Sequence, residues 1–274
     1  MNPFLNHIGR LAMAGIALGS ILSACQSTDY PDPQPATTAS ANQARFLFVN
    51  AAPGSPALSF SIENNAAGQA RAFNEATGYI TAPVGPVQLR ARAASGQIGG
   101  ILGSNDVVYR AGATNQTNFS ASANTSYTVF VVDTLNRPAS TASGSTNPGG
   151  PQFVVVTDTL RAPAAGMARV RVFNFAPDVP STSVRLVNAG MNQVAAAFPR
   201  RDYRSVSGTA LQYTSVPAGT YTLQVYSQTT LPAAITAPAA TTATVTLAEG
   251  KIYTIYTTGL SRSRTLTVGT VQHN

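Results

Sequence analysis

From Arg45 onward the chain is built of short runs in which apolar and polar residues alternate, each run bounded by Gly, Pro, Asn or Ser. A period of two places successive side chains on opposite faces of a strand, so these runs predict β-strands rather than helices. One of them, Arg45-Phe-Leu-Phe-Val-Asn-Ala-Ala-Pro-Gly-Ser-Pro56, returns as Arg169-Val-Arg-Val-Phe-Asn-Phe-Ala-Pro-Asp-Val-Pro180. Arg, Asn, Ala and both prolines hold matching places, so the fold is expected twice. Aligning the copies sets Phe46, Phe48 and Asn50 on Val170, Val172 and Asn174, which marks the core face. Leu47 and Val49 fall on Arg171 and Phe173. In each copy the Ala-Pro pair stops the strand, and Asn50 and Asn174 are expected to bond the turn that follows.

Two further correspondences support the duplication. Residues 79–89 match 213–223, a Pro-x-Gly turn feeding a strand whose inward positions are Val87, Leu89 and Ala91, or Tyr221, Leu223 and Val225. Arg90 and Arg92 then point outward. Tyr127-Thr-Val-Phe matches Tyr253-Thr-Ile-Tyr, and three residues before each tyrosine stands Asn124 or Gly250, types that tolerate positive φ. The run Leu247-x-x-Gly250-x-x-Tyr253 resembles the tyrosine corner of immunoglobulin-like sandwiches, which implies that Tyr127 and Tyr253 are structural. Each copy closes with one more strand, at 153–159 and 265–271. The copies differ mainly before that strand: a Ser/Gly/Pro-rich stretch at 138–151 faces a short connection at 259–263. The fold class is all-β: two tandem antiparallel immunoglobulin-like β-sandwiches, at residues 45–161 and 167–274, joined by 162–166.

Composition agrees and narrows the function. Of 274 residues only 10% are charged, with a single lysine and no tryptophan, so Ser, Thr, Asn and Gln must cover the surface. The net charge of +7 comes from scattered arginines without a basic run or recognition helix. No nucleic-acid partner is therefore expected, and the arginines are assigned to solvent-facing strand positions.

The first 24 residues read as a processing segment. Arg10 supplies charge, and the apolar stretch at 11–22 is shorter than the ~20 residues that span a bilayer. It ends in Leu22-Ser-Ala-Cys25, which holds the only cysteine and resembles the bacterial lipobox. The resemblance implies cleavage before Cys25 and lipidation of its thiol and amino group, and thus a membrane partner reached through a lipid anchor. Gln26 and Ser27 follow rather than Asp, which by resemblance to sorting signals points to the outer membrane of a bacterial envelope. Residues 25–44, rich in Pro, Thr, Ala and Ser, form a disordered linker.

The opening Arg-x-x-x-x-Asn-x-Ala-Pro-x-x-Pro, followed by an alternating strand and a Pro-x-Gly turn, resembles the bacterial domain-of-unknown-function family 4397. The resemblance covers both repeats and is clearer in the second, since Gly54 stands where the second copy has Asp178. It implies an exported immunoglobulin-like domain, often in tandem, and brings no catalytic residues.

The search for chemistry is mostly negative. The histidines are His7, in the processing segment, and His273, beside the last residue, so the folded body is expected to lack histidine and thiol alike. That excludes Ser-His-Asp and Cys-His catalysis and His/Cys zinc sites. The carboxylates from Glu63 to Glu249 are isolated in sequence, and no phosphate, calcium or dinucleotide motif appears. No catalytic residue, metal or cofactor is expected. One cluster stands out: Arg200, Arg201, Tyr203 and Arg204, with Asp202 among them. Arginine forks beside a tyrosine can hold a sugar acid or a phosphate, while an exposed internal Arg–Asp pair is the plainer reading. The sequence thus describes a non-enzymatic, lipid-anchored envelope protein with tandem spacer or binding modules. The alternative is a carbohydrate- or polyanion-binding protein, and the expected partner is an envelope glycan or protein.

Overall fold

Among the described residues nine strands build the first repeat: β1 (Gln43–Asn50), β2 (Leu58–Ile62), β3 (Asn65–Ala66), β4 (Ile80–Pro83), β5 (Gly85–Ala93), β6 (Asp106–Val108), β7 (Asn118–Ala121), β8 (Ser126–Val132) and β9 (Gln152–Asp158). Eight build the second: β10 (Met167–Asn174), β11 (Ser181–Asn188), β12 (Val194–Asp202), β13 (Thr214–Pro217), β14 (Gly219–Tyr226), β15 (Thr241–Leu247), β16 (Ile252–Thr258) and β17 (Thr267–Gln272). This computed structural model describes residues 42–94, 105–110, 117–135, 137–138, 141, 149–237, 239–260 and 266–274, which fall within one compact unit. The expected signal segment, Cys25, nearly all of the linker, and most of the 138–151 and 259–263 connections lie outside the described residues.

Each repeat is a pair of facing sheets. The first repeat has the orders β4-β1-β8-β9 and β3-β2-β5-β6, and the second has β13-β10-β16-β17 and β12-β11-β14-β15. The all-β tandem sandwiches expected from the alternation are present. One pairing in each departs from the antiparallel rule, because β1 runs parallel to β8 and β10 parallel to β16. Inside each sandwich the alternation works as read. Phe46, Phe48, Leu58, Phe60, Leu89 and Val129 fill the first core, and Val170, Val172, Val184, Leu223, Val225 and Ile255 the second. Arg90 and Arg92 point outward, and both pair with Asp106.

The turn chemistry is also as expected. Asn50 Nδ2 donates to the carbonyls of Pro56 and Arg71, and its Oδ1 accepts from Ser55 Oγ at 2.7 Å. Asn174 Nδ2 donates to Val179 O at 2.8 Å, and its Oδ1 accepts from Ala176 N and Thr257 Oγ1, both at 3.0 Å. The hydroxyls of Tyr127 and Tyr253 accept from Ser122 N and Ala248 N, each at 3.0 Å. Asn124 and Gly250 take φ of 54° and 74°, which lets the chain turn into each tyrosine strand.

The repeats differ at a second place besides the 138–151 connection. In the second repeat β15 lines β14 from Gly219 to Val225. In the first, that edge of β5 is shared between β7, along Gly85–Gln88, and β6, along Arg90–Arg92.

Sequence patterning assigned one buried face to β1 and β10, and the structure buries both. Leu47, Val49, Ala51, Phe130, Val132, Val154 and Val156 meet Phe173, Phe175, Tyr256 and Val271 in a third core between the two repeats. The sheets β4-β1-β8-β9 and β13-β10-β16-β17 therefore pack face to face, and the order of layers is outer, inner, inner, outer. Each large apolar side chain sealed there contributes about 1.5–3 kcal/mol. The packing is matched pair by pair. Phe130 lies beside Val154 in the first repeat, whereas its counterpart Tyr256 lies beside Gly269. A Cβ on Gly269 would stand 2.1 Å from Tyr256 Cζ, so the larger ring requires the glycine.

Candidate functional site

Two polar clusters stand out against the apolar layers: one sealed between the repeats, the other open at the edge of the second.

The sealed cluster contains Asp158, Arg171, Thr254 and His273, all buried. Arg171 Nε donates to Thr254 Oγ1 at 2.8 Å, and the Thr254 hydroxyl lies 2.7 Å from His273 Nε2. His273 Nδ1 is 2.8 Å from the Tyr79 hydroxyl, which donates to Asp158 Oδ2 at 2.7 Å. Arg171 Nη2 donates to Asp158 Oδ1 and closes the ring. These partners assign the imidazole: with the Tyr79 hydroxyl donating to Asp158 and the Thr254 hydroxyl donating to Nε2, His273 is neutral and carries its hydrogen on Nδ1. Thr128 adds a donor to Asp158 Oδ2 at 2.8 Å, and the Tyr213 ring lies 4.7 Å from the Arg171 guanidinium carbon. Burial lowers the His273 pKa to about 4, against the opposing pull of Asp158. Burial and the neighbouring carboxylate push the Tyr79 phenol far up, and burial raises Tyr213 to about 12.

The duplication explains how these residues meet. Asp158 pairs with Ser126, just before Tyr127, and His273 N donates to Ile252 O, just before Tyr253. Asp158 and His273 therefore occupy equivalent places, as do Thr128 and Thr254, and Tyr79 and Tyr213. Packing inner sheet against inner sheet brings the two sets together, and Arg171, standing where the first copy has Leu47, joins them. The expectation that His273 lies outside the folded body is thus corrected: it follows directly on β17, its N–H bonds Ile252 O, and its side chain is buried in the interface. Likewise Arg171, Arg185 and Arg201 are buried rather than solvent-facing. The aligned pair Leu47/Arg171 was the signal, since an arginine opposite a leucine on an alternating strand marks a face with a special partner. Imidazole, hydroxyl and carboxylate meet here, but buried between apolar walls they bind one another.

The open cluster is the one the sequence singled out. β11 and β12 pair with register shifts between Thr182 and Val184 and between Leu186 and Val187; Arg200, within β12, and Arg204, just past its end, take left-handed φ values of 31° and 58°. A groove of about 410 Å³ lies against it, lined by Pro199, Arg200, Arg201, Asp202, Ser205, Ser207, Thr209 and Ala210. The exposed Arg200 Nε donates to both Asp202 oxygens, at 3.0 and 2.9 Å. A bond from Ser181 Oγ and this arginine hold the Asp202 carboxyl below its ordinary range. Arg201 turns inward: Nε donates to Val172 O at 3.0 Å and Nη1 to Pro199 O at 2.6 Å, and burial lowers its pKa. Tyr203 is largely buried near Asp133 and Arg137 of the first repeat, and burial raises its pKa. Of the four residues singled out, Arg200 and Arg201 line the groove; Tyr203 and Arg204 do not, and the Arg204 guanidinium lies over the Tyr203 ring instead. The sequence did not single out Ser205, Ser207 and Thr209, because hydroxyl residues are common throughout this chain.

Among the described residues no group of three His, Cys, Asp or Glu side chains is placed to hold a metal. No helix among them is long and apolar enough to cross a membrane.

Residues 44–185 match the model of a domain of unknown function, DUF4397. No curated protein matches the chain. Solved structures with a similar arrangement include a leucine-rich repeat protein from Bacteroides thetaiotaomicron, 12% identical, with a TM-score of 0.19 over 78% of this chain and 25% of the other. The Bacillus anthracis TIE protein is 11% identical, with a TM-score of 0.24 over 80% and 34%. A candidate cell adhesion protein from Parabacteroides distasonis is 8% identical, with a TM-score of 0.21 over 84% and 98%. This chain thus spans a quarter to a third of the first two.

Proposed function

We propose, starting from the fact that this chain belongs to the DUF4397 family, that it is a non-enzymatic, lipid-anchored protein of the bacterial cell envelope. Its two sandwiches act as one rigid body that holds a binding surface away from the membrane. The observation that carries this reading is the ring of Asp158, Arg171, Thr254, His273 and Tyr79. The residue types that elsewhere perform acid–base chemistry are here buried and bonded to one another across the interface. They stiffen the tandem and have no substrate in reach. The lipobox-like Leu22-Ser-Ala-Cys25 supports the anchor, and Gln26 and Ser27 support the outer membrane.

Fractionation tests it. The wild-type protein is expected in outer membranes and in the detergent phase, and Cys25→Ser is expected to be released or to remain unprocessed. A Cys25→Ser protein that stays membrane-bound and is cleaved normally would refute the anchor. The groove at Arg200 favours a second reading, an envelope carbohydrate- or polyanion-binding protein. It is compatible with the first, because an anchored body can also carry a ligand site.

A further inference from the structure

We propose that the groove beside Arg200 binds a sugar acid, with a single carboxylate held on the Arg200 guanidinium and the sugar hydroxyls held by Ser205, Ser207, Thr209 and Asp202. This rests on the reading of the protein as an envelope binding module and names the ligand class for it.

The guanidinium is aimed in advance. The single Nε–H of Arg200 is shared between the two Asp202 oxygens, and Ser181 holds Asp202 in turn, which favours one direction of the fork. Among the described residues nothing bonds Arg200 Nη1 or Nη2, which leaves the end of the fork open to a carboxylate in the two-bond geometry arginine favours. Arg201 cannot swing out to compete, because its own guanidinium is anchored on the carbonyls of Val172, Pro199 and Arg200. It adds a fixed positive charge to the floor. The volume of about 410 Å³ falls within the ~300–1,000 Å³ typical of small-ligand sites.

The charges on the wall select among anions. Two arginines and one aspartate line the groove, a balance of one positive charge, which matches a monoanion. A phosphate or sulfate brings more charge, or no hydroxyl donors, against the Asp202 carboxylate. A uronic acid brings one carboxylate for Arg200 and hydroxyls that donate to Asp202 and exchange bonds with Ser205, Ser207 and Thr209. Arg200 and Asp202 belong to the second repeat alone: Leu58 pairs with Arg71 as its counterpart Thr182 pairs with Arg201, which puts Ala70 and Ala72 in their places in the first repeat. One site per chain is therefore expected.

Calorimetric titration of the detergent-solubilised full-length protein tests the proposal with three probes: methyl galacturonoside, which carries a single carboxylate, its methyl ester and inorganic phosphate. The acid is expected to bind one per chain. The ester, which keeps every hydroxyl and loses the charge, is expected to bind about tenfold more weakly or worse, as is the acid to Arg200→Ala; that is the scale of one charge-assisted hydrogen bond. Phosphate is expected not to displace the acid at equal concentration. Arg200→Lys, which keeps the charge and loses the fork, is expected to bind the acid more weakly than wild type and provides the test if Arg200→Ala is unstable. Absence of acid binding, equal binding of acid and ester, unchanged affinity in the folded arginine variants, or displacement by phosphate would each overturn the proposal. None of these results would bear on the Cys25→Ser fractionation, so the two readings fail separately.

Discussion

Acidification should weaken the junction between the sandwiches through His273. In the folded protein this imidazole is neutral, enclosed by Tyr79, Asp158, Arg171 and Tyr213, with a pKa lowered to about 4 from an ordinary 6.5. Because the folded pKa lies below the unfolded one, the unfolded chain takes up the proton first. Stability is therefore full above about pH 6.5, and it is lost as the pH falls toward 4. For these two pKa values the linkage integral between about pH 7.5 and pH 4.5 comes to ~2.5 kcal/mol, a large part of the ~5–15 kcal/mol that holds most domains folded. The assay is urea unfolding across that range for the wild type and His273→Gln, a variant that cannot take up the proton. Other groups titrate alike in both, so the difference between them isolates the imidazole. Wild type is expected to be the more stable by about 1–3 kcal/mol near pH 7.5, where the ring is intact. That advantage should shrink by ~2.5 kcal/mol, to about 0.5 kcal/mol or below, near pH 4.5. A difference that stays constant with pH would refute the assignment of a buried, neutral histidine.

Two further substitutions examine the same interface. Arg171→Leu restores the residue of the first copy but leaves the Asp158 carboxylate without its cation. It is expected to cost about 3–5 kcal/mol in urea unfolding, with part regained in Arg171→Leu/Asp158→Asn; a loss below about 1 kcal/mol would show the pair to be dispensable. Gly269→Ala places a methyl group within the ring of Tyr256 and is expected to lower stability by about 1–3 kcal/mol or more. Adding Tyr256→Phe should relieve little of that loss, because Cζ and Cε2 clash as well as the hydroxyl.

Strands and duplication were legible because they depend on local regularities: alternation at Phe46 and Phe48, the Ala-Pro stop, and the turn residues before Tyr127 and Tyr253. The interface was not. Leu47, Val49, Phe173 and Phe175 are apolar on the face that a lone sandwich would show to water, and a strand buried on both faces has a run of apolar residues with no period to identify its partner. Asp158 and His273 were harder still. Nothing local relates them, and they become equivalent only through the register of β8 with β9 and of β16 with β17. The Arg200–Arg204 cluster could be read because it is contiguous. The fate of each member could not, because irregular pairing at the β11–β12 edge decides which side chains turn inward.

The directions of the strands give the molecule a front and a back. The chain comes into the first sandwich at Gln43 and out of it at Asp158, close to where it begins the second at Met167 and ends at Asn274, whose side chain bonds Ile252 N and Gly250 O. At the far ends of β1 and β10 lie Ala51, Asn174 and Thr258, and there Arg204 N bonds Asn174 O. The groove thus sits about seven strand steps of ~3.3 Å, or roughly 23 Å, from Gln43 and Met167, where β1 and β10 begin. Had the sandwiches been strung head to tail, as tandem modules usually are, each repeat would have added height. Packed face to face they share a third core instead, and the rim that carries the Arg200 groove lies at the strand ends opposite Gln43 and Met167.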